Sequence, residues 1–169
     1  MKVLITGAVA AGKSAVAKKL QGLGYTVYDT DSANLTRWEN DRGQPVEQPD
    51  NPPKGWFEKN HWNLNIEELK KLLDREGYIF LCGITSNQAK YQAFFDKTIL
   101  LKIDRNTLKK RIKSRTDNTF GKHPNELADI LSWFDWFHED LKKRGAVVIN
   151  ATQSLDKVVK QILAQLNGS

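Results

Sequence analysis

The sequence is poor in cysteine and histidine and has no long apolar run. Its single cysteine, Cys82, excludes an internal disulfide framework and fits a reducing compartment. The three histidines are widely spaced and have no second ligand at metal-binding spacing, so a zinc site is not expected. Because no apolar stretch is long enough to cross a bilayer, we expect no membrane partner and a cytoplasmic location.

What the chain does contain is typical of one globular domain. It has 169 residues, of which 40% are hydrophobic and 27% charged. The formal net charge of +6 fits an anionic partner such as a nucleotide, a metabolite phosphate or a nucleic acid. The lysines are spread along the chain rather than gathered with aromatic residues, so nucleic acid is the least favoured of these. We expect a monomer or a homodimer.

Short apolar strands alternate with helical segments throughout the chain. Because the strands are continuous apolar runs, both of their faces should be buried, as in a parallel sheet covered by helices. The pattern predicts an α/β fold with three α/β/α layers and a five-stranded parallel sheet. In such sheets ligands bind beyond the carboxyl ends of the strands. The predicted strands are residues 2–6, 25–28, 78–82, 98–103 and 146–149.

The predicted helices are bounded by glycines and capping residues. Asn65, Asp104 and Ser154 are expected caps. Residues 40–63 contain four prolines and several Asn and Asp residues, which predicts an exposed loop. The predicted helices cover residues 14–23, 66–73, 88–95, 105–115, 125–144 and 155–166.

Residues 7–14 form the Walker A pattern G-x-x-x-x-G-K-S between a predicted strand and a predicted helix. Gly7 and Gly12 let the backbone N–H groups curl around phosphate oxygens. Lys13 supplies a positive, catalytic charge for the β- and γ-phosphates, and the Ser14 hydroxyl is a ligand for Mg²⁺. We therefore predict a P-loop NTPase with ATP and Mg²⁺ as cofactors; the alternative is an incidental turn. The predicted nucleotide-binding residues here are Gly7, Ala10, Ala11, Gly12, Lys13, Ser14 and Ala15.

Two carboxylates, Asp29 and Asp31, follow the second predicted strand. In an extended segment, residues two apart project to the same side. Phosphorylating an alcohol requires a group that orients the hydroxyl and accepts its proton, together with acidic oxygens near Mg²⁺. We assign Asp29 to the metal, and Asp31 to the acceptor as a catalytic residue. The alternative is a solvated turn in which Asp31 caps a helix starting near Ser32.

A Walker A loop followed by a strand ending in Asp-x-Asp resembles the shikimate and gluconate kinase branch of the nucleoside monophosphate kinase superfamily, to which adenylate kinase also belongs. In that branch the first carboxylate helps to hold magnesium and the second contacts the acceptor hydroxyl. Asp29 and Asp31 match those positions. The resemblance covers the order of elements over nearly all of residues 1–169. It implies a single P-loop kinase domain with an acceptor-binding insertion at about residues 32–65.

The resemblance also implies a short lid at about residues 116–124. Arg111 and Arg115 lie four apart on the predicted helix before it, so they share a face. They match the superfamily's R-x-x-x-R pair, in which one arginine braces adenine and the other reaches phosphate. We assign Arg111 to the nucleotide and Arg115 to catalysis. The alternative is a basic solvated helix face.

Further assignments rest on the resemblance alone. It implies that Asn150 and Thr152, after the last predicted strand, line the adenine pocket. It also implies that Gly83 and Asn87, after the third strand, bind the acceptor; a helix-capping turn is equally consistent with the second pair. Arg37 and three tryptophans lie in the predicted acceptor segment. The tryptophans either stack on a planar acceptor or anchor the loop, and we favour anchoring.

The chain departs from its relatives on the acceptor side. It has no arginine in residues 125–143, where adenylate-type kinases clamp phosphates, and no evident arginine motif of true shikimate kinases. No Asp ends the third strand as a Walker B carboxylate. We therefore expect a kinase acting on a hydroxyl compound or a nucleoside as its small-molecule acceptor. The alternatives are a nucleoside monophosphate kinase and an ATP-binding module that acts with RNA or a protein.

Overall fold

The computed structural model describes residues 1–31, 33–116 and 118–166. Its centre is a sheet of five parallel strands in the order β2-β5-β1-β6-β7, which confirms the predicted sheet. Strand β1 is central: it pairs with β5 on one side and with β6 on the other, and four of its five residues are buried. The strands are β1 (Lys2–Thr6), β2 (Thr26–Asp29), β5 (Ile79–Cys82), β6 (Lys97–Lys102) and β7 (Val147–Asn150).

The described ranges contain six α-helices in addition to the strands. Asn65 caps α3 by accepting the N–H groups of Glu67 and Glu68, and Asp104 caps α4 by accepting that of Thr107, as predicted. Pro124 opens α5, where its missing N–H costs nothing. The helices are α1 (Lys13–Gly22), α2 (Trp56–Lys59), α3 (Ile66–Leu73), α4 (Arg105–Ser114), α5 (Pro124–Lys143) and α6 (Leu155–Ala164).

Apolar side chains from alternate strand positions build a core on each face of the sheet. On one face, strand residues such as Ile5 pack with α1, α4, α6 and the first half of α5. On the other face, Leu4 and Leu81 pack with Leu69 of α3 and with Tyr91. The C-terminal part of α5 reaches this second face through Leu141 and Leu100. The arrangement is the predicted three-layer α/β/α fold.

The predicted loop at residues 40–63 was wrong in its second half. There the chain forms α2 and a strand, β4 (Asn60–Leu64), which pairs antiparallel with β3 (Thr36–Asn40). We call this pair the hairpin. The four prolines that predicted a loop lie in the connection between its strands. Because that connection is long, the pairing has no short-turn signal in the sequence.

Three smaller expectations also differ from the structure. Residues 88–95 form two short 3-10 turns, not one α-helix. The helix considered as starting near Ser32 is not found among the described residues, because residues 33–35 lead by a turn into β3. Ser32 itself lies outside the described residues. Ser154 occupies the cap position of α6, but its side chain makes no capping hydrogen bond. No helix within the described ranges is long and apolar enough to cross a membrane.

Candidate active site

The loop between β1 and α1 has the backbone geometry of a phosphate cradle. Gly12, with φ of +95°, turns the chain into α1, and Ala10 also has a positive φ of 60°. Gly7 has no room for a side chain, because a Cβ there would lie 2.7 Å from the carbonyl oxygen of Leu101. The loop therefore passes tightly over the end of β6 and presents the amino end of α1 to the cleft.

Lys13 lies half-buried across this loop. Its ammonium donates to the carbonyl oxygens of Gly7 and Ala8, both at 2.8 Å. Burial lowers the pKa of Lys13 to about 8, while the charges of Asp31 and Asp29 oppose the shift. An anion bound beside Lys13, such as a phosphate, would favour the protonated ammonium and so raise the lowered pKa again.

Asp29 and Asp31 lie at the carboxyl end of β2, facing the same lysine. The backbone N–H of Asp31 donates to Oδ1 of Asp29 at 3.1 Å. Oδ1 of Asp31 accepts the hydroxyl of Thr30 at 3.2 Å and the indole N–H of Trp62 at 3.4 Å. The two carboxylates are therefore held close together beside the phosphate loop.

Arg111 bridges the phosphate loop and the loop after β7. Its guanidinium donates to the carbonyl oxygen of Ala10 at 3.2 Å and to that of Ala151 at 2.8 Å. These contacts fix the arginine above the amino end of α1, where a Cβ on Gly12 would lie 4.0 Å from Arg111 Nη1. A planar, permanently charged group there suits a nucleotide.

Arg115 follows α4 and faces the segment predicted as a lid. It donates to the carbonyl oxygen of Phe120, and Lys122 donates to the carbonyl oxygen of Arg115 at 2.6 Å. Its charge lowers the pKa of Lys13, which places the two cations within electrostatic reach. Residues 116 and 118–123 contain no helix or strand, and Asp117 lies outside the described residues.

One cleft of about 820 Å³ joins Lys13, Asp31, Arg111 and Arg115, whereas Gly7 and Asp29 are not among the described residues that line it. The phosphate loop and the two lid arginines line one part of it, and Asp31 lines the part beneath the hairpin. The structure thus brings together nine of the residues predicted for the site: Ala10, Ala11, Gly12, Lys13, Ser14, Ala15, Asp31, Arg111 and Arg115.

On the predicted adenine side, the residues next to the expected ones meet the cleft. Ala151 and Gln153 line it. Asn150 and Thr152 instead bond to each other, because Asn150 Oδ1 accepts the N–H of Thr152 at 3.0 Å and its hydroxyl at 2.8 Å. This turn shapes the loop, so its effect on a ligand is indirect.

The three remaining acceptor assignments have contacts within the protein. Asn87 bonds both backbone groups of Leu64, at 3.0 and 2.8 Å. Arg37 pairs with Glu39 at 2.7 Å on the exposed side of the hairpin. A Cβ on Gly83 would lie 2.2 Å from Thr30 Oγ1, so this glycine permits close packing. None of the three is among the described residues that line the cleft.

Sequence reasoning underestimated the aromatic wall of the cleft. Trp38 and Trp62 are direct cross-strand partners in the hairpin, so they share a face, and both line the cleft with Phe57 and Phe120. We refer to these four residues as the aromatic wall. Trp38 and Trp62 therefore pack against each other within the hairpin and also face the site. Alternation of Trp38 with charged Arg37 and Glu39 was the available sequence signal.

The fold is shared with solved kinases at low sequence identity. Shikimate kinase from Aquifex aeolicus matches with a TM-score of 0.63 and 21% identity over 99% of this chain and 97% of that one. Deoxyadenosine kinase from M. mycoides, solved with bound dATP, matches with a TM-score of 0.60 and 17% identity over 99% and 100%. A gluconokinase from Sinorhizobium meliloti matches with a TM-score of 0.55 and 19% identity over 98% of this chain and 90% of that one.

Comparison of the sequence with protein-family models places the chain in a family. A search among curated proteins gave no match. A family model described as an AAA domain matches residues 3–132, a range that contains the phosphate loop, both carboxylates and both lid arginines. The match covers well over half of the 169 residues. The chain therefore belongs to the AAA domain family, with the α/β fold of P-loop kinases.

Proposed function

We propose that this protein is an ATP-dependent phosphotransferase that moves the γ-phosphate of ATP to a hydroxyl of a small molecule. The observation that carries this proposal is the placement of Lys13 and Asp31 in one cleft. A phosphate-binding lysine and a carboxylate that can receive a hydroxyl proton are the two groups that such a transfer requires.

On the nucleotide side, the amino end of α1 and Lys13 bind the phosphates. Arg111 holds the nucleotide between the phosphate loop and Ala151, supported by its two bonds to those loops. Arg115 supplies positive charge to the transferring phosphoryl group from the base of the lid. Charge held in place before the reaction stabilises the transition state without reorganisation.

On the acceptor side, Asp31 orients the hydroxyl and receives its proton. The indole N–H of Trp62 and the hydroxyl of Thr30 position its carboxylate. The hairpin forms the acceptor-binding insertion, and residues 116–124 form the lid that excludes water when closed. Asn87 contributes by holding β4 in place, and Gly83 by allowing Thr30 to approach.

The residues present fit a magnesium ion. The exposed hydroxyl of Ser14 and the carboxylate of Asp29 provide the oxygen ligands that Mg²⁺ prefers. Within the described part of the chain, no group of three or more His, Cys, Asp and Glu is placed to hold a metal. That agrees with an ion bound by one or two side chains together with substrate phosphates. When bound, Mg²⁺ neutralises charge on the β- and γ-phosphates.

Purified protein incubated with Mg-ATP tests the proposal. ADP formation is followed with single candidate acceptors: nucleosides, nucleoside monophosphates, sugars, sugar acids and shikimate. We expect one class to stimulate ADP formation well above the rate with ATP alone, and Lys13→Ala to abolish the stimulation. Slow hydrolysis that no acceptor changes would instead favour an ATP-binding module that works with another macromolecule.

We further propose that the enzyme works in the cytoplasm. Its substrate ATP is supplied there, and its one thiol, Cys82, is buried and unpaired. For the oligomeric state, a monomer and a homodimer both stay predictions.

A further inference from the structure

The acceptor side of the cleft is walled by aromatic rings. Trp38 is the centre of the aromatic wall, with ring centroids 5.6 Å from Phe57, 5.4 Å from Trp62 and 6.4 Å from Phe120. All four rings are half-buried, so each keeps part of its surface open. Rings tilted against one another, here by 46 to 53°, leave faces and edges on which a further ring can stack.

The hairpin holds this wall in place through its backbone. Beside β4, the turn after β5 acts like a third strand, because the backbone N–H of Ser86 donates to Trp62 O at 2.7 Å and Ser86 Oγ accepts the N–H of Trp62 at 3.1 Å. Asn87 continues the pairing at Leu64. The tryptophan is therefore preorganised, which lowers the entropic cost of binding a ring.

The charges of the cleft are divided between its two sides. Among the described residues that line it, the cations are Lys13, Arg111 and Arg115. Lys13 ends the phosphate loop, Arg111 lies in α4, and Arg115 directly follows α4. The carboxylates are Asp31 and Asp129. The nearest hairpin cation, Arg37, is paired with Glu39 on the opposite face of the hairpin. Arg115 reaches the edge of the aromatic wall at the carbonyl oxygen of Phe120. An acceptor carrying its own phosphate or carboxylate would therefore have to share the three cations of the cleft with the phosphates of ATP.

We propose that the acceptor is an uncharged nucleoside, whose base stacks on the aromatic wall while its hydroxyl meets Asp31. This inference rests on the proposed kinase function and narrows it. Trp62 connects the aromatic wall to the carboxylate of Asp31. Its ring is part of the wall, and its indole N–H donates to Asp31 Oδ1 at 3.4 Å. Ring and hydroxyl must therefore lie within one small molecule, as they do in a nucleoside.

Polar groups at the rim can recognise the edge of a base. The amides of Gln48 and Asn60 line the cleft beside the wall. Each amide has both a donor and an acceptor, which matches the mixed edge of a nucleobase better than a carboxylate or a phosphate. Gln48 is held by a 2.7 Å bond to Glu126, and Asn60 by a 2.7 Å bond to Trp56 O.

Matched pairs of acceptors test the proposal. Adenosine, cytidine, thymidine and deoxyadenosine are each compared with their 5′-monophosphates, and shikimate and gluconate are added. Quenching of tryptophan fluorescence reports binding without ATP, and product mass reports transfer with Mg-ATP. We expect at least one nucleoside to bind and to be phosphorylated, with kcat/KM at least about tenfold above that of its monophosphate.

A pair of phenylalanine variants locates the binding site. Phe57→Leu removes a ring of the wall, while Phe94→Leu makes the same change at a 38% exposed position outside the cleft. We expect Phe57→Leu to raise KM for the nucleoside about fivefold or more, with KM for ATP unchanged, because stacking contributes to nucleobase affinity. Phe94→Leu should leave both constants unchanged. Circular dichroism checks that both variants fold.

The outcomes separate this inference from the proposed function. Phosphorylation of shikimate, gluconate or a monophosphate in preference to every nucleoside would overturn the nucleoside inference and leave the kinase intact. Nucleoside binding that Phe57→Leu weakens, with no transfer to any compound, would support the site and contradict the kinase. No quenching by any nucleoside would overturn the inference directly.

Discussion

Lys13 is a residue whose charge state should control nucleotide binding. Its pKa is lowered to about 8 by burial in the free protein, and bound phosphates raise that pKa again. ATP affinity should therefore be constant below about pH 8 and should fall by up to about tenfold per pH unit above it.

Titration of ATP affinity from about pH 7 to about pH 9.5 by calorimetry checks this expectation. Lys13→Arg is the control, because a guanidinium keeps its charge over the whole range. If the variant retains measurable affinity, that affinity should not fall with pH. An equal decline in both proteins would show that another group is responsible.

Asp31 should matter for transfer and little for nucleotide affinity. Asp31→Asn keeps the shape of the side chain but removes the proton acceptor. We expect acceptor phosphorylation to fall by about 10²-fold or more, while ATP affinity changes less than about threefold. Asp156→Asn, at an exposed aspartate paired with Lys19, is the matched control. Equal loss of ATP binding and transfer in Asp31→Asn would contradict the division of roles.

Gly83 shows how a residue predicted for binding can have a packing role. Because a Cβ there would lie 2.2 Å from Thr30 Oγ1, Gly83→Ala should destabilise the fold by roughly 1–3 kcal/mol. In Gly22→Ala the new Cβ meets nothing within 4 Å, so stability should be unchanged or slightly higher. Urea unfolding of both variants measures the difference, and similar midpoints would refute the packing account.

At the scale of elements, helix α5 carries a buried histidine. His138 packs against Phe134 and Phe137, and its Nε2 has no hydrogen-bond partner among the described residues. Burial lowers the pKa of His138 from 6.5, the charges of Lys102 and Lys142 lower it further, and Asp135 and Glu139 oppose them. The folded protein therefore favours the neutral form of this imidazole more than the unfolded chain does.

This histidine should make the fold less stable in acid. Below about pH 6.5 the unfolded chain binds a proton that the folded chain does not, so the free energy of unfolding falls as the pH drops, until the folded-state pKa is passed. Denaturant unfolding between about pH 7.5 and about pH 5.5 should show a smaller decline in His138→Phe than in the wild type. Parallel declines would mean that carboxylates alone govern the effect.

The elements also show what sequence alone can predict. The five parallel strands and helices α3 and α4 follow from apolar runs and from capping by Asn65 and Asp104, which are local signals. The hairpin depends on pairing Trp38 with Trp62, across a connection rich in proline. Its energy comes from contacts between distant residues, and no local pattern contains that information.

The site divides in the same way. The phosphate loop is one continuous motif, so its geometry could be predicted residue by residue. The acceptor side is assembled from the hairpin, the turn after β5 and the lid, and the order of the chain does not reveal which side chains meet there. Asn87 accordingly holds β4 in place, and Asn150 forms a turn with Thr152. The residues that reach the cleft are others, such as Ala151 and Phe57.

At the scale of the whole molecule, the two faces of the cleft have complementary chemistry. One end of a parallel sheet brings the cations around the phosphate loop into the same cleft as the aromatic wall and the carboxylates of Asp31 and Asp129. A nucleotide triphosphate suits the first part, and an uncharged ring-bearing alcohol suits the second.

Direct detection of the transferred phosphoryl group tests the kinase proposal most sharply. The protein is incubated with Mg-ATP labelled at the γ-phosphate and with the acceptor that stimulates ADP formation, and the products are separated by mass. The account requires the label to appear on the acceptor in a one-to-one ratio with ADP, and to be absent from it with Lys13→Ala. Label found only in inorganic phosphate would contradict it.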